Sequence, residues 1–138
     1  MSTILQIANA DRNLHLLIKG LKASSLDEKL SGSGPFTLLA PINLAFRNLP
    51  DADSFENLVE KAGNKNRLSD ILSYHVLMVK KLVKDFRDGQ KFQTVNGKEV
   101  TVTIKEGQTY INGAKILARD MQGSNGVIHS INAVNLPG

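Results

Sequence analysis

The sequence contains no cysteine and no tryptophan, and only 5% of its 138 residues are aromatic. Without cysteine the protein has no disulfide, no thiol nucleophile and no thiolate metal ligand. Its longest apolar runs are four to five residues, too short for a transmembrane segment. No basic stretch followed by a long apolar run opens the chain, so no signal peptide is visible. With so few aromatics, the core is expected to consist mainly of Leu, Ile and Val.

The remaining composition is that of an ordinary globular domain. The chain is 41% hydrophobic and 22% charged, with a net charge of +4, and its length predicts one domain over residues 1–138. The nearest approach to a basic cluster is Lys80, Lys81 and Lys84. Because no aromatic residues are interleaved for base stacking, we interpret this cluster as a solvated face. The alternative is a patch that binds an anion or nucleic acid, but we expect no binding of nucleic acid. We also expect a monomer.

The first half of the chain has helical patterns. Thr3 and Gln6 form a capping box, and Asp11 is a candidate N-cap for a second helix. That helix has an apolar stripe at the i, i+3, i+4, i+7 spacing, formed by Leu14, Leu17, Ile18 and Leu21. Residues 25–28 form another capping box. A short apolar run between Pro35 and Pro41 predicts a strand, and Asn43 is expected to cap the helix that follows it.

The second half alternates in the manner of β-hairpins. Asn-Gly pairs at residues 96–97, 112–113 and 125–126 favour tight turns between the strands. In the last strand Val127, His129 and Ile131 share one face, while Val134 and Leu136 lie on the other. Either both faces are covered or a bulge changes the register. Helices followed by antiparallel strands predict the α+β class, with N-terminal helices packed on a wedge of antiparallel strands.

No arrangement of residues indicates catalysis. The sequence has no phosphate-binding glycine loop and no Gly-x-Ser-x-Gly motif. His15, His75 and His129 do not have metal-ligand spacing, so we predict no metal and no cofactor. His75 and His129 lie inside apolar runs and are interpreted as buried, neutral and hydrogen-bonded. An enzyme acting through either of them is the hypothesis that we rank last, and we predict that the protein is not an enzyme.

Three stretches together resemble the fasciclin domain family. The first is residues 36–46, in which a predicted strand leads through Ala-Pro and Asn to Ala-Phe. The second is the Tyr74-His75 pair, which lies between aliphatic residues. The third is residues 125–137. Their order matches that family along nearly the whole chain. The resemblance implies helices packed on a β-wedge without a catalytic centre, and a secreted or cell-surface protein. It also implies cell adhesion or protein binding, with a protein, matrix or cell-surface partner outside the cell or in the cell envelope.

The resemblance also implies candidate partner-binding residues. In adhesive animal members the Tyr-His segment and an Asp-Ile pair have been proposed to recognise integrins. Tyr74 and His75 match the first, although the apolar residues on both sides of them favour a buried, structural segment. Asp120-Met121 occupies the position of the second, with Met replacing Ile, and Asp120 is the better candidate for exposure. Arg119 stands where adhesive members often have Lys.

The family signatures further imply a structural set, namely Pro41, Asn43, His75 and His129. Ile42 replaces the usual Thr before Asn43, which assigns the capping role to Asn43. An alternative function is a small-ligand or glycan-binding domain of the cell envelope, using a groove between the helices and the sheet.

Overall fold

A computed structural model describes residues 2–49, 54–60 and 65–136, so Pro137, which ends the closing signature, lies outside it. The helices of the described chain are α1 Ile4–Asn9, α2 His15–Ala23, α3 Leu26–Leu30, α4 Asn43–Arg47, α5 Phe55–Glu60 and α6 Lys65–Ser73. Two 3₁₀ turns, Arg12–Leu14 and Val83–Asp85, are also present. The strands are β1 Phe36–Pro41, β2 Val76–Leu77, β3 Lys91–Gln93, β4 Glu99–Lys105, β5 Gln108–Ile111, β6 Ala114–Lys115, β7 Met121–Gly123 and β8 Gly126–Ile131.

The predicted caps of the N-terminal helices are partly confirmed. The hydroxyl of Thr3 accepts the Gln6 N–H, and the Gln6 side chain accepts the Thr3 N–H, so the capping box at α1 is present. Asp11 caps the first 3₁₀ turn by accepting the Asn13 N–H at 2.9 Å. The predicted box at Ser25 is wrong. Ser25 has φ of 65° and makes no capping hydrogen bond, because an N-cap side chain reaches the helix from an extended backbone.

The strands form two four-stranded sheets, in the orders β2-β1-β8-β7 and β3-β4-β5-β6. The second sheet is antiparallel throughout, and its Asn112-Gly113 turn has the positive φ values, 49° and 86°, that the sequence predicts. In the first sheet β1 and β8 pair in parallel, from Phe36 beside Gly126 to Pro41 beside Ile131. The α+β class with mixed helices and antiparallel strands is confirmed, and this parallel central pair is an addition that hairpin patterns do not predict.

The β1–β8 pair is the centre of the molecule, and every residue of both strands is buried. Leu38 and Ile128 belong to the core that the helices cover. Leu39 and Ile131 belong to a second core, shared with the other sheet. The closing strand is shorter than predicted, because β8 ends at Ile131 and leaves Val134 and Leu136 outside it, with Leu136 37% exposed. Within β8 both faces are covered, and the register with β1 runs without a bulge.

Candidate functional site

His75 links the end of α6 to the C-terminal segment. Its Nε2 accepts the Asn135 N–H at 2.9 Å, so the ring proton lies on Nδ1, which donates to the Ile71 carbonyl at 2.7 Å. The side chain is fully buried. Burial lowers the pKa of His75 to about 4, although the hydrogen bond to Ile71 opposes this change. The imidazole is therefore neutral, and both of its nitrogens are occupied.

His129, at the centre of β8, makes a similar bridge with the opposite tautomer. Its Nδ1 accepts the Asp120 N–H at 3.0 Å, so Nε2 carries the proton and donates to the Lys81 carbonyl at 2.7 Å. Its ring centroid lies 5.7 Å from that of Phe86 in an edge contact. Burial lowers the pKa of His129, while the bond to Lys81 and the charge of Asp120 oppose the change. Neither histidine has a free nitrogen for a substrate or a metal, and both have the structural role implied by the resemblance.

Asp120 is exposed but also bound to the protein framework. Its φ is 59°, and its Oδ1 accepts the Val83 N–H at 2.9 Å and lies 3.8 Å from His129 Nδ1. The side chain is 38% exposed, and its Oδ2 makes no hydrogen bond within the described residues. Met121, the next residue, is half-buried at the start of β7. One carboxylate oxygen of Asp120 thus remains open to a partner.

The segment before Asp120 is exposed and yet firmly attached to β8. Residues 117–120 are exposed, and we call this segment the Asp120 loop. The Leu117 N–H donates to the Ser130 carbonyl at 2.8 Å, and the Ser130 N–H donates to the Ala118 carbonyl at 2.7 Å. The Ser130 hydroxyl also accepts the Ala118 N–H at 2.9 Å. The loop is therefore held to a fully buried strand at both of its ends.

Tyr74 and His75 lie inside the protein, away from any exposed surface. Tyr74 is 6% exposed, and its hydroxyl donates to the Glu99 carbonyl at 2.8 Å and accepts from the Asn112 side chain at 2.7 Å. The structure does not place Tyr74 and His75 together with Asp120 on one surface. That they contact a partner stays a prediction, and the geometry assigns them a structural role.

Asn43 has a structural role, although it differs from the predicted one. The residue at the N-cap position of α4 is Ile42, which makes no capping bond, so the prediction that Asn43 caps this helix is wrong. Its side-chain oxygen instead accepts the Leu16 N–H at 3.0 Å, and its amide donates to the Arg12 carbonyl at 2.8 Å. The physical reason is that Asn43 already belongs to α4, and its side chain satisfies an open donor in the first turn of α2. Pro41 ends β1 beside Ile131.

Two further anchoring residues are not predicted from the sequence. Asn125 is 6% exposed, and its side chain accepts the Ile4 N–H at 3.0 Å and donates to the carbonyls of Leu30 and Gly32 at 2.8 Å each. Thr37, fully buried in β1, accepts the Lys81 N–H at 2.9 Å through its hydroxyl. The Asn-Gly pair indicates a turn at Asn125, but no sequence signal identifies its three distant partners.

In residues 2–49, 54–60 and 65–136, no group of three or more His, Asp or Glu side chains could hold a metal ion. No helix in these same ranges is both long and apolar enough to span a bilayer.

Comparisons with known proteins identify relatives over nearly the whole chain. The family model for the fasciclin domain matches residues 12–137. Protein sll1483 of Synechocystis is 38% identical over 135 residues, which cover 98% of this chain and 73% of that protein. The pig transforming growth factor-beta-induced protein ig-h3 is 28% identical over 137 residues, and the chain spans 20% of its length. A FAS1 domain pair from the insect cell adhesion molecule fasciclin I has the same fold, with a TM-score of 0.82 at 20% identity over 99% of this chain and 51% of that one.

Proposed function

The chain belongs to the fasciclin domain family, and we propose that it is a non-enzymatic cell-adhesion or protein-interaction module acting outside the cell or in the cell envelope. Its fold matches about half of a FAS1 domain pair from an insect cell adhesion molecule, 51% of that chain. The proposal treats residues 1–138 as one fasciclin unit whose partner is a protein or another component of the matrix or cell surface.

The observation that carries this proposal is the Asp120 loop. It exposes Leu117, whose side chain is 46% exposed, together with the charged side chains of Arg119 and Asp120. Its backbone is held by Ser130 and His129 of the buried strand β8. A surface that is already ordered loses little conformational entropy when a partner binds. Such a loop therefore supports recognition of another protein.

In this proposal His129, Tyr74 and His75 position the Asp120 loop. His129 fixes the Asp120 backbone directly, through a single hydrogen bond. Tyr74 and His75 act at a greater distance, since they join α6 to β4 and to the C-terminal segment. Substitutions at these three residues would weaken binding through loss of stability, whereas substitutions at Leu117 and Arg119 would weaken it without loss of stability.

A capture experiment with matched variants tests the proposal. The biotinylated domain is incubated with intact cells and secreted proteins of the organism that produces it, cross-linked, and analysed by mass spectrometry. The loop variant combines Leu117→Ser with Arg119→Gln. The control combines Leu44→Ser, at a leucine that is 58% exposed on α4, with Arg12→Gln.

We expect the wild type and the control to capture the same protein, and the loop variant to capture at least tenfold less. Capture of nothing above the level of bare beads would contradict the proposed function. Equal capture by the loop variant would contradict the assignment of the recognition surface to the Asp120 loop.

The small-ligand alternative has a weaker structural basis. A cleft of about 210 Å³ lies among α1, α2 and α3, with Leu5, Ile18 and Leu21 in its wall. It lies among the helices and not between helices and sheet, where the sequence analysis expects a groove. Its volume is also below the roughly 300–1,000 Å³ of typical ligand pockets. The protein-interaction function is therefore the one that we propose.

A further inference from the structure

The charge of the protein is concentrated in its second part. Residues 79–138 carry nine Lys and Arg residues against five Asp and Glu residues, whereas residues 1–78 carry eight of each. The whole net charge of +4 thus belongs to the segment that builds the second sheet, β7 and β8. Three of its five carboxylates, those of Asp85, Asp88 and Asp120, already accept backbone N–H groups.

Two cations, Lys84 beside the Asp120 loop and Arg119 within it, lack hydrogen-bond partners for their side chains in the described part of the chain. The side chains of Lys84 and Arg119 are exposed, and neither makes a hydrogen bond or an ion pair with any described residue. The two lie on segments that touch, because the Val83 N–H donates to the Asp120 carboxylate. Lys84 and Arg119 thus have no ion-pair partner among the described residues, although the exposed carboxylates of Asp85 and Asp120 lie next to them in the sequence.

A pocket opens at this junction. It has a volume of about 280 Å³ and a mostly polar wall, bounded by Val83, residues 107–109, Ile116, Leu117 and Arg119. That volume is slightly below the range of pockets for whole small-molecule ligands. It is suited to one side chain of a partner.

Thr109, a mostly buried residue, lines the pocket. Thr109 lies on the same face of β5 as the core residue Ile111, and it is only 8% exposed. Its hydroxyl makes no hydrogen bond to any described residue. The hydroxyl is not sealed off either, since the described residues contain no fully buried side-chain oxygen without a partner. An accessible hydroxyl without a partner is a donor that a ligand in the pocket can use.

Apolar side chains beside the pocket indicate the kind of ligand. Leu117 lines the pocket and is 46% exposed, and Ile104, paired with Thr109 across the hairpin, is 36% exposed. A sulfated polysaccharide would leave both uncovered, whereas an acidic protein segment with a neighbouring apolar residue would cover them.

We propose that this pocket receives an Asp or Glu side chain of a protein partner, flanked in that partner by an aliphatic residue. The carboxylate pairs with the Arg119 guanidinium and accepts the Thr109 hydroxyl, while the aliphatic residue packs on Leu117. The inference rests on the proposed function and adds the chemistry of the partner to it.

The test is a titration of the ¹⁵N-labelled protein, followed by two-dimensional NMR. The probe is the peptide acetyl-Gly-Glu-Leu-Gly-amide, and its Gln analogue is the uncharged control. We expect saturable shifts of the Gln108, Leu117 and Arg119 amides with the Glu peptide only. Shifts distributed over all exposed lysines, or equal shifts with the Gln peptide, would overturn the proposal.

Variants test the two assigned groups. Arg119→Gln is expected to raise the dissociation constant at least about tenfold, which is the contribution of one charge-assisted hydrogen bond, whereas Arg12→Gln leaves it unchanged. Thr109→Val weakens binding, and Thr109→Ser, which keeps the hydroxyl, restores it. The same spectra show whether each variant is folded.

Other outcomes separate this proposal from the proposed function. A sulfated heparin disaccharide that shifts the same amides at lower concentration than the peptide would overturn the assignment to a protein carboxylate. If the cross-linking experiment captures a partner equally well with wild type and with Arg119→Gln alone, this proposal fails and the proposed function stands. If the wild type captures no protein, the proposed function itself fails.

Discussion

Acid is expected to destabilise this protein through His75. The imidazole is fully buried and neutral, and the Asn135 N–H points at its Nε2. Protonation would therefore place a charge in the core and bring a second hydrogen against an existing donor. In the unfolded chain the same imidazole titrates near its ordinary pKa of 6.5. The difference between the two states links folding to pH.

The direction and size of the effect follow from those pKa values. Above pH 6.5 His75 is neutral in both states, and its contribution to stability is complete. Between pH 6.5 and about 4 the unfolded chain binds a proton that the folded protein does not, so the free energy of unfolding falls as the pH falls. At about 1.4 kcal/mol per pH unit, the whole loss amounts to about 3 kcal/mol. His129, whose pKa is also lowered, acts in the same direction.

Urea unfolding at 25 °C, measured from pH 7.5 to pH 4, tests this reasoning in wild type and His75→Asn. The asparagine can still donate to the Ile71 carbonyl, but it lacks the Nε2 acceptor for the Asn135 N–H, so we expect the variant to be less stable at pH 7.5. Because asparagine does not titrate, the variant is also less sensitive to acid. We expect the two stability curves to converge by about 3 kcal/mol as the pH falls. His15→Asn, at an exposed position, is the control. Parallel curves for wild type and His75→Asn below pH 6.5 would refute the argument.

Three other substitutions test the anchoring contacts by urea unfolding or thermal melting. Asn125→Ala removes three hydrogen bonds, two of them buried, that join α1 and the segment before β1 to the closing strand. We expect a loss of about 3 kcal/mol or more, and a loss below 1 kcal/mol would contradict the assigned role. Gly126→Ala would place a Cβ 2.1 Å from the Phe36 carbonyl oxygen, so we expect β1 and β8 to separate and the fold to be lost, as measured by circular dichroism; a native melting temperature would exclude this close approach. Asn43→Ala removes the acceptor for the Leu16 N–H in the first turn of α2, for an expected loss of about 1 kcal/mol, whereas an unchanged stability would show that solvent replaces this contact.

Local features of the fold could be predicted from the sequence because their causes are local. The capping box needs only Thr3 and Gln6 at the right spacing, and the turn at Asn112-Gly113 needs two residues that tolerate positive φ. The helical stripe that includes Leu14 and Leu21 follows from the period of the helix, and both residues are fully buried. Each of these signals is contained in fewer than ten consecutive residues.

The rest of the fold depends on partners that are distant in the sequence. Nothing in residues 36–41 indicates that β1 will pair in parallel with residues 126–131, because the apolar sequence of a buried strand does not specify which strand it pairs with. The same limit applies to side chains, since Asn43 resembles a local cap and Asn125 resembles a turn residue. Each instead satisfies backbone groups on elements far along the chain. For the candidate site, the family resemblance indicated Asp120-Met121 and Tyr74-His75, and only the packed structure shows that Thr109 and Arg119 line one pocket.

His129 contributes both to the stability of the core and to the order of the Asp120 loop, whereas Arg119 belongs to the loop alone. The hydrogen bond that orders Asp120 is made by an imidazole that also ties β8 to the Lys81 carbonyl. A substitution at His129 therefore alters the Asp120 loop and the core together, and loss of the proposed binding there would not identify a contact residue. Arg119 is adjacent in the loop but makes no bond within the described protein. Its substitution changes the charge of the surface without changing the framework, so binding to Arg119 variants reports on recognition alone.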